Sequence, residues 1–298
     1  MLSARNWLVT ALGLVCVAVL AVINIPDRIP RVDLVERASQ FAAALRPDAP
    51  YRPPTVREGE NALVGLIPLL TGGKDTQSEL KTLTPLGFSL TSGKDSATDR
   101  QFVMAATEPG DERGWGMYIG DYGVEPHQVI EVPHPNFDLD TELLGVQLHR
   151  LLPGSAVLIA GAHRKAANGL ADVAHNANSL FNLVATALAR RGLPQIQLHG
   201  FDDDSLPGTG VVVSGGSTRH THLHEQIADR VEADGTVVCR AWQQSCGGLE
   251  GTTNVQGQAA DSMGTVFAHI ESDGTIRMDP QLRDRLVAAL AAAITAGP

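Results

Sequence analysis

The chain has 298 residues, 43% hydrophobic content and a formal net charge of -10. This length and apolar content are enough for a large buried core, so one folded domain plus a short additional segment is the simplest interpretation. The scattered Lys and Arg residues argue against nucleic-acid binding, which needs a clustered basic surface. The sequence also lacks a Gly-rich loop ending in Lys and Ser or Thr, which excludes a P-loop NTPase.

Residues 1–26 contain an uncharged apolar stretch, residues 7–25. About 20 helical residues cross the hydrocarbon core of a bilayer, so this stretch predicts an N-terminal transmembrane helix. A cleaved signal peptide is the alternative, but no clear small-x-small cleavage site precedes Pro26. We therefore expect a membrane-anchored protein with an extracytoplasmic domain, or a secreted protein if the segment is cleaved.

Residues 27–60 are rich in proline and charge, with only a short helical pattern near residues 35–45. This composition is typical of an extended linker and predicts a Pro-rich stalk. Residues 61–298 have the denser apolar pattern of a packed domain.

Short apolar strands and helical patterns alternate in the second half of the chain. A strand pair surrounds the turn-rich residues 108–111, and a further strand ends at His134. The later elements are predicted strands at 156–161, 196–199 and 211–213 and helices at 141–152, 179–191, 218–231 and 279–290, with Asp140 as the N-cap of the first helix. Such alternation predicts a three-layer α/β domain with a mostly parallel, mixed sheet and helices on both faces.

Polar side chains stand at or just past several predicted strand ends. They are His134, His163, His199 and Glu271. Because ligands gather at the carboxyl ends of parallel strands, one edge of the sheet is expected to hold these side chains together. Two His and a carboxylate, with a second free carboxylate, are what a hydrolytic zinc site needs.

The carboxylate that accompanies His134 has two candidates. Asp138 suits a ligand in a loop, whereas Glu142 falls in the first helical turn and could instead stabilise the helix N-terminus. We favour Asp138 and leave the choice open. Glu271 is the candidate general base, with an ion pair to Arg277 as its alternative role.

The connection between the candidate ligands carries residues suited to binding substrate. Arg164 offers a planar fork for a substrate carboxylate, and His175 or Asn176 could orient the scissile carbonyl. His220 and His224 would share one helix face, but no strand edge directs them to the main site, so metal binding there is not favoured.

Two cysteines lie outside the apolar segment, Cys239 and Cys246. In an oxidising compartment we expect them to form a disulfide; in the cytosol, two buried reduced thiols would be the alternative.

The order of these features resembles a known family over roughly residues 128–290. A His followed by a carboxylate, an Arg- and Asn-containing connection, and strands ending in His199 and Glu271 are similar to the zinc-carboxypeptidase-like amidohydrolases. That group includes N-acetylmuramoyl-L-alanine amidases, poly-γ-glutamate hydrolases and N-acylglutamate deacylases. The resemblance implies that Zn²⁺ is bound by His134, Asp138 or Glu142, and His199, with Glu271 as the catalytic carboxylate. The His-x-x-Glu pattern of carboxypeptidases is not kept, since Phe137 stands at its last position.

These observations favour a zinc-dependent amide-bond hydrolase acting outside the cytoplasm. Its expected substrate is a small-molecule or peptide amide that bears a carboxylate, such as a cell-wall peptide. The alternative is a non-catalytic envelope protein that uses the same scaffold to bind a peptide or glycan.

Overall fold

One ten-stranded sheet organises the part of the chain that the computed structural model describes, residues 29–73 and 76–296. Its strands are β1 (Arg31–Val32), β2 (Phe88–Asp95), β3 (Gln101–Thr107), β4 (Met117–Asp121), β5 (Gln128–Val132), β6 (Ser155–Ile159), β7 (Gln195–Gly200), β8 (Val211–Ser214), β9 (Val238–Arg240) and β10 (Phe267–Ser272).

The strands lie in the order β1-β2-β3-β4-β6-β5-β7-β10-β8-β9. The four neighbours β6, β5, β7 and β10 pair in parallel, whereas β2, β3 and β4 pair antiparallel. The last strand of the chain, β10, lies between β7 and β8 and runs antiparallel to β8. The prediction of a mostly parallel, mixed sheet is confirmed.

Helices cover both faces of this sheet. They are α1 (Leu34–Ala43), α2 (Val56–Leu70), α3 (Thr76–Leu83), α4 (Thr141–Leu151), α5 (Leu180–Ala189), α6 (His222–Ala233), α7 (Val255–Ser262), α8 (Gly274–Met278) and α9 (Pro280–Thr295). Helices α1, α4, α9 and α6 contact one another in turn on one face, and α3, α2, α5 and α7 do so on the other. The predicted three layers are therefore present.

Helix α1 lies within residues 27–60, the segment expected to be a stalk. Its side chains Leu34, Ala38 and Phe41 recur every three or four positions and are buried in the core, where the helix packs against α4. This spacing is that of an amphipathic helix with one apolar face, which is stable only when covered. The structure thus corrects the expectation: the helix belongs to the domain, although prolines flank it.

The predicted transmembrane segment, residues 7–25, lies outside the described residues. Within residues 29–73 and 76–296, no helix is long and apolar enough to cross a bilayer. The membrane anchor stays a prediction from the sequence.

The central strands β5, β7 and β10 have two chemically different faces, because successive residues of a strand point to opposite sides. One side, here called the apolar face, consists of Ile130, Val132, Ile196, Leu198, Ala268 and Ile270. The other side, here called the polar row, consists of Glu131, Gln197, His199, His269 and Glu271. Parallel register places Glu131 beside Gln197 and Glu271 beside His199.

The predicted disulfide between Cys239 and Cys246 is present. It precedes a glycine-rich loop, residues 247–254. The Cys246 amide donates to Glu250 Oε1 at 2.5 Å, and Ser214 Oγ donates to the Glu250 carbonyl at 2.7 Å. These contacts hold the loop beside the end of β8.

Candidate metal centre

Three buried side chains converge at the carboxyl ends of β5 and β7. The Nδ1 atoms of His134 and His199 each lie 3.1 Å from Oδ2 of Asp138. All three side chains are almost fully buried, and one ligand atom from each fits within 4.8 Å of the others. The two histidines and the loop carboxylate singled out from the sequence are therefore brought together.

A tight turn after β5 returns Asp138 onto His134. Backbone amides of Phe137 and Asp138 donate to the His134 carbonyl at 3.1 and 3.0 Å. Asn136 adopts the left-handed conformation, with φ of 59°, which Asn tolerates better than most residues. Pro133 stops the strand and Asn136 supports the turn, so the local sequence itself places the carboxylate.

The spacing of these atoms fits a zinc ion. Zinc bonds to imidazole nitrogen and carboxylate oxygen are about 2.0–2.2 Å long, so neighbouring ligand atoms of a tetrahedral site lie roughly 3.3 Å apart. The observed 3.1 Å from each nitrogen to the carboxylate oxygen is close to this value. Three protein ligands with a fourth position open are typical of catalytic zinc.

The second ring nitrogen of each histidine has its own acceptor. His134 Nε2 lies 2.9 Å from Asp172 Oδ1, and His199 Nε2 lies 2.7 Å from Gln197 Oε1. Metal-binding histidines usually have such partners, which set the orientation of the ring. Asp172 also forms an ion pair with Arg164 at 2.5 Å.

The protonation states of Asp138, His134 and His199 depend strongly on one another. Burial raises the pKa of Asp138, but its hydrogen bond with His134 and its contact with the His199 ring outweigh burial and leave the pKa well below its ordinary value. Burial lowers the pKa of His134, but its bonds to Asp138 and Asp172 outweigh that effect and raise it. Burial lowers the pKa of His199 to about 4. An ionised carboxylate between two buried imidazoles favours positive charge at this point.

Glu271 stands at the end of β10, beside His199. Its Oε2 is buried and has no hydrogen-bond partner in the described part of the chain. Burial, together with the charge of Asp138, raises the pKa of Glu271 well above its ordinary value. The side chain of Arg277 donates to backbone carbonyls, including that of Leu139 at 2.7 Å, and does not pair with Glu271. Glu271 is thus free to exchange a proton with a molecule in the cavity.

His269 lies two residues before Glu271, on the same side of β10. Its ring centroid is 4.6 Å from that of His199, and its Nδ1 lacks a partner among residues 29–73 and 76–296. Burial lowers the pKa of His269 well below its ordinary value. One ligand atom each from His199, His269 and Glu271 also lies within 4.8 Å of the others. Sequence reasoning assigned His269 no role, although the two-residue period of a strand would have found it.

A cavity of about 190 Å³ opens onto these groups. Its walls include His134, Arg164, His175, His199, His269, Glu271 and residues 248, 249 and 251–254 of the glycine-rich loop. Gly251 has φ of 64°, and a Cβ there would lie 2.5 Å from the His269 ring. Only glycine allows the loop to approach the imidazole this closely.

Two of the three predicted substrate-binding residues line this cavity. Arg164 places its guanidinium 4.9 Å from the centroid of the Phe137 ring and pairs with Asp172. His175 is half exposed, with Nδ1 3.2 Å from Asp172. Asp172 therefore links three groups of the site, yet it lies in an irregular loop where no sequence pattern marks it.

Asn176 is not placed to orient a scissile carbonyl, the role predicted for it. Its Nδ2 donates to the Leu170 carbonyl at 2.8 Å and its Oδ1 accepts from the Asn178 amide at 3.0 Å. Both ends of the amide stabilise a turn, and the side chain does not line the cavity. Local hydrogen bonding of this kind competes with function at Asn residues in loops.

Glu142 lies outside both clusters of candidate ligands. It sits in the first turn of α4, where burial raises its pKa to about 7. The structure therefore favours Asp138 as the carboxylate beside the two histidines. Asp140 occupies the N-cap position of α4, as predicted, but it adopts the left-handed conformation and its side chain makes no capping hydrogen bond.

His220 and His224 have structural contacts. His224 Nδ1 accepts from the Thr221 amide at 2.8 Å, and its Nε2 donates to the Phe267 carbonyl, 2.9 Å away. His220 stacks on Trp242 with ring centroids 5.3 Å apart. Both ring nitrogens of His224 are therefore engaged in structural hydrogen bonds.

No protein-family model and no curated protein matches the chain. Among solved structures it is similar to N-formylglutamate amidohydrolase from Ralstonia eutropha, with a TM-score of 0.43 and 14% identity, covering 65% of this chain and 97% of that one. It is also similar to a bacteriophage poly-gamma-glutamate hydrolase, with a TM-score of 0.41 and 12% identity, covering 73% of this chain and 95% of that one. These proteins are of the kinds that the sequence resembles.

Proposed function

We propose that this protein is a zinc-dependent amide-bond hydrolase that acts outside the cytoplasm on a carboxylate-bearing peptide or acyl-amino-acid. The observation that carries the proposal is the convergence of His134 Nδ1, His199 Nδ1 and Asp138 Oδ2 beside Glu271, whose buried Oε2 has no partner among the described residues. The disulfide supports an extracytoplasmic location, because such bonds persist in oxidising compartments.

Glu271 is the proposed general base. When bound, zinc would polarise the amide carbonyl and make water a better nucleophile. Glu271 takes a proton from the attacking water and gives it to the leaving nitrogen as the amide C–N bond breaks. The water oxygen ends on the acyl carbon, which leaves a carboxylic acid and an amine.

Arg164 is the proposed contact for a substrate carboxylate. Its guanidinium is the one Lys or Arg group in the cavity wall, within the described residues. The two similar structures are named for N-formylglutamate and poly-gamma-glutamate, which are both amides bearing carboxylates. Because Arg164 lines the cavity, amides that bear a carboxylate, these two compounds and cell-wall peptides among them, are the first substrates to test.

The direct test is metal analysis and hydrolysis by the purified full-length chain. We expect about one zinc ion per chain. His199→Ala should lower zinc affinity and hydrolysis by more than ~100-fold, since loss of even an outer-shell partner commonly costs 10–100-fold. His220→Ala is the matched control and should leave both unchanged. Hydrolysis that persists in His199→Ala without bound metal would contradict the proposal.

A paired comparison tests the identity of the third ligand. Asp138→Asn should lose zinc affinity by ~100-fold or more, because a neutral amide is a much weaker zinc ligand than a carboxylate. Glu142→Gln should bind zinc as the unaltered chain does. The opposite result would assign the ligand to Glu142.

A further inference from the structure

The proton position on His199 decides whether its Nδ1 can bind a cation. A neutral imidazole carries one proton, and the other nitrogen offers its lone pair. Which nitrogen is protonated follows from the hydrogen bond that the ring makes. His199 Nε2 faces Gln197 Oε1, so the orientation of the Gln197 amide sets the answer.

A backbone carbonyl fixes the amide on one side of Gln197. Gln256 Nε2 lies 2.9 Å from the carbonyl of Val173, which can only accept a hydrogen bond. Gln256 Oε1 therefore faces Gln197 Nε2, 3.2 Å away, as an acceptor. Asn182 supports this direction, because its Oδ1 also accepts from Gln256 Nε2 at 3.1 Å.

Backbone amides fix the other side independently. Asn254 Oδ1 accepts from the backbone N–H groups of Gln256 and Gly257 at 2.9 and 3.1 Å, as the N-cap of α7. Its Nδ2 must then donate to Gln197 Oε1. The Val173 carbonyl, in a loop, and the backbone N–H groups in the first turn of α7 thus impose the same orientation on Gln197.

The remaining hydrogen of the Gln197 amide donates to Glu131 Oε2 at 2.7 Å. Each polar group of this buried amide therefore has two partners, and turning it over would leave several buried groups unsatisfied. Gln197 Oε1 is held as an acceptor toward His199.

We infer that Gln197, held by Gln256 and Asn254, is a positioning residue that keeps the His199 proton on Nε2 and presents the Nδ1 lone pair to the cation. Its functional meaning rests on the proposed zinc site. In this tautomer the Nδ1 lone pair faces Asp138 Oδ2 at 3.1 Å, so two acceptors point at one place. A cation between them resolves that repulsion.

The tautomer can be measured without zinc and without substrate. Long-range ¹H–¹⁵N NMR correlations of the full-length, histidine-labelled, metal-free chain in mildly alkaline buffer distinguish protonated from unprotonated ring nitrogens. We expect His199 to have its proton on Nε2. A wild-type spectrum with the proton on Nδ1 would overturn the inference, whether or not any variant folds.

Three variants separate positioning from packing. Gln197→Met keeps the volume but removes the acceptor, so the Nδ1-protonated form, which can donate to Asp138, should become populated. Gln197→Glu restores an acceptor and should restore the Nε2-protonated form. Gln195→Met, the same change on the same side of β7, should not alter the His199 spectrum. An unchanged spectrum in Gln197→Met would overturn the inference.

Zinc affinity, measured by competition with a chelator, provides the second readout. Gln197→Met should bind zinc ~10–100-fold more weakly than the unaltered chain, and Gln197→Glu should recover most of that loss. If neither the unaltered chain nor any variant binds zinc but the tautomer is as expected, the proposed function fails and the positioning role stands. If the unaltered chain binds zinc and Gln197→Met binds it equally tightly, the positioning role fails and the proposed function stands.

Discussion

The apolar face and the polar row belong to the same strands and are both buried, but they serve opposite purposes. Apolar side chains gain free energy when they leave water, whereas buried polar groups cost free energy unless they are hydrogen-bonded. The polar row meets this requirement through amides such as Gln197, and leaves it unmet at Glu271, at His269 and at one carboxylate oxygen of Glu131. Unsatisfied polar groups on one side of a strand are thus tolerated when the other side of the same strand stabilises the fold.

The largest expected effect falls on the polar row. Glu271→Gln removes the general base but keeps the shape of the side chain, so hydrolysis should fall by ~10²–10⁴-fold. Zinc content and the free energy of unfolding should not fall, because the carboxyl has no hydrogen bond to lose at Oε2. Steady-state kinetics with metal analysis of the same sample check this. A loss of zinc that parallels the loss of rate would assign Glu271 to metal binding instead.

The neighbouring position on the apolar face should respond in the opposite way. Leu198→Ala opens a cavity in the core and should lower the free energy of unfolding by about 2–5 kcal/mol. Zinc bound per folded chain should stay the same. Urea unfolding of the metal-free chain measures the first quantity. If Leu198→Ala and Gln197→Met had equal effects on the free energy of unfolding and on zinc binding, the two faces would not have different roles.

Glu131, in the polar row, should make the free energy of unfolding depend on pH. Burial raises the pKa of Glu131 to about 8, above its ordinary value of 4.5. Below pH 4.5 both folded and unfolded chains are protonated there. As the pH rises toward about 8, only the unfolded chain ionises, so this group's contribution to stability falls by a few kcal/mol. Glu131→Gln should remove that fall, seen as a flatter curve of unfolding free energy against pH. Parallel curves for both chains would contradict it.

The smallest effect is expected at the loop that covers the polar row. Replacing both Cys239 and Cys246 with Ser opens a short disulfide-closed loop and should cost about 2–3 kcal/mol of unfolding free energy. Because residues of the following loop line the cavity, the Michaelis constant should rise more than the turnover number falls. Chemical denaturation and kinetics of the double variant measure both. A chain as stable as the original would show that the loop is held by Glu250 alone.

The sequence predicted the parts of the site that local patterns determine. His134, His199 and Glu271 end strands, and strand ends can be recognised from the apolar runs before them. The choice between Asp138 and Glu142 needed the turn around Asn136, which no spacing rule supplies.

The partners of these groups could not be predicted in the same way. Asp172, Asn254 and Gln256 reach the site from loops and a helix N-terminus far away in the chain, and only tertiary packing brings them there. The sequence also suggested a stalk where α1 lies, because the proline-rich residues on either side of this helix resemble a linker. The apolar face of α1 nevertheless packs on the domain.

The position of β10 has a consequence for how the protein is made. The sheet cannot join β7 to β8 until residues 267–272 have been synthesised, because that last strand lies between them. His269 and Glu271 belong to β10, so they join the sheet together with this strand. A growing chain therefore lacks Glu271, the proposed general base, until residues 267–272 have been made, and the proposed hydrolysis has to wait for this strand.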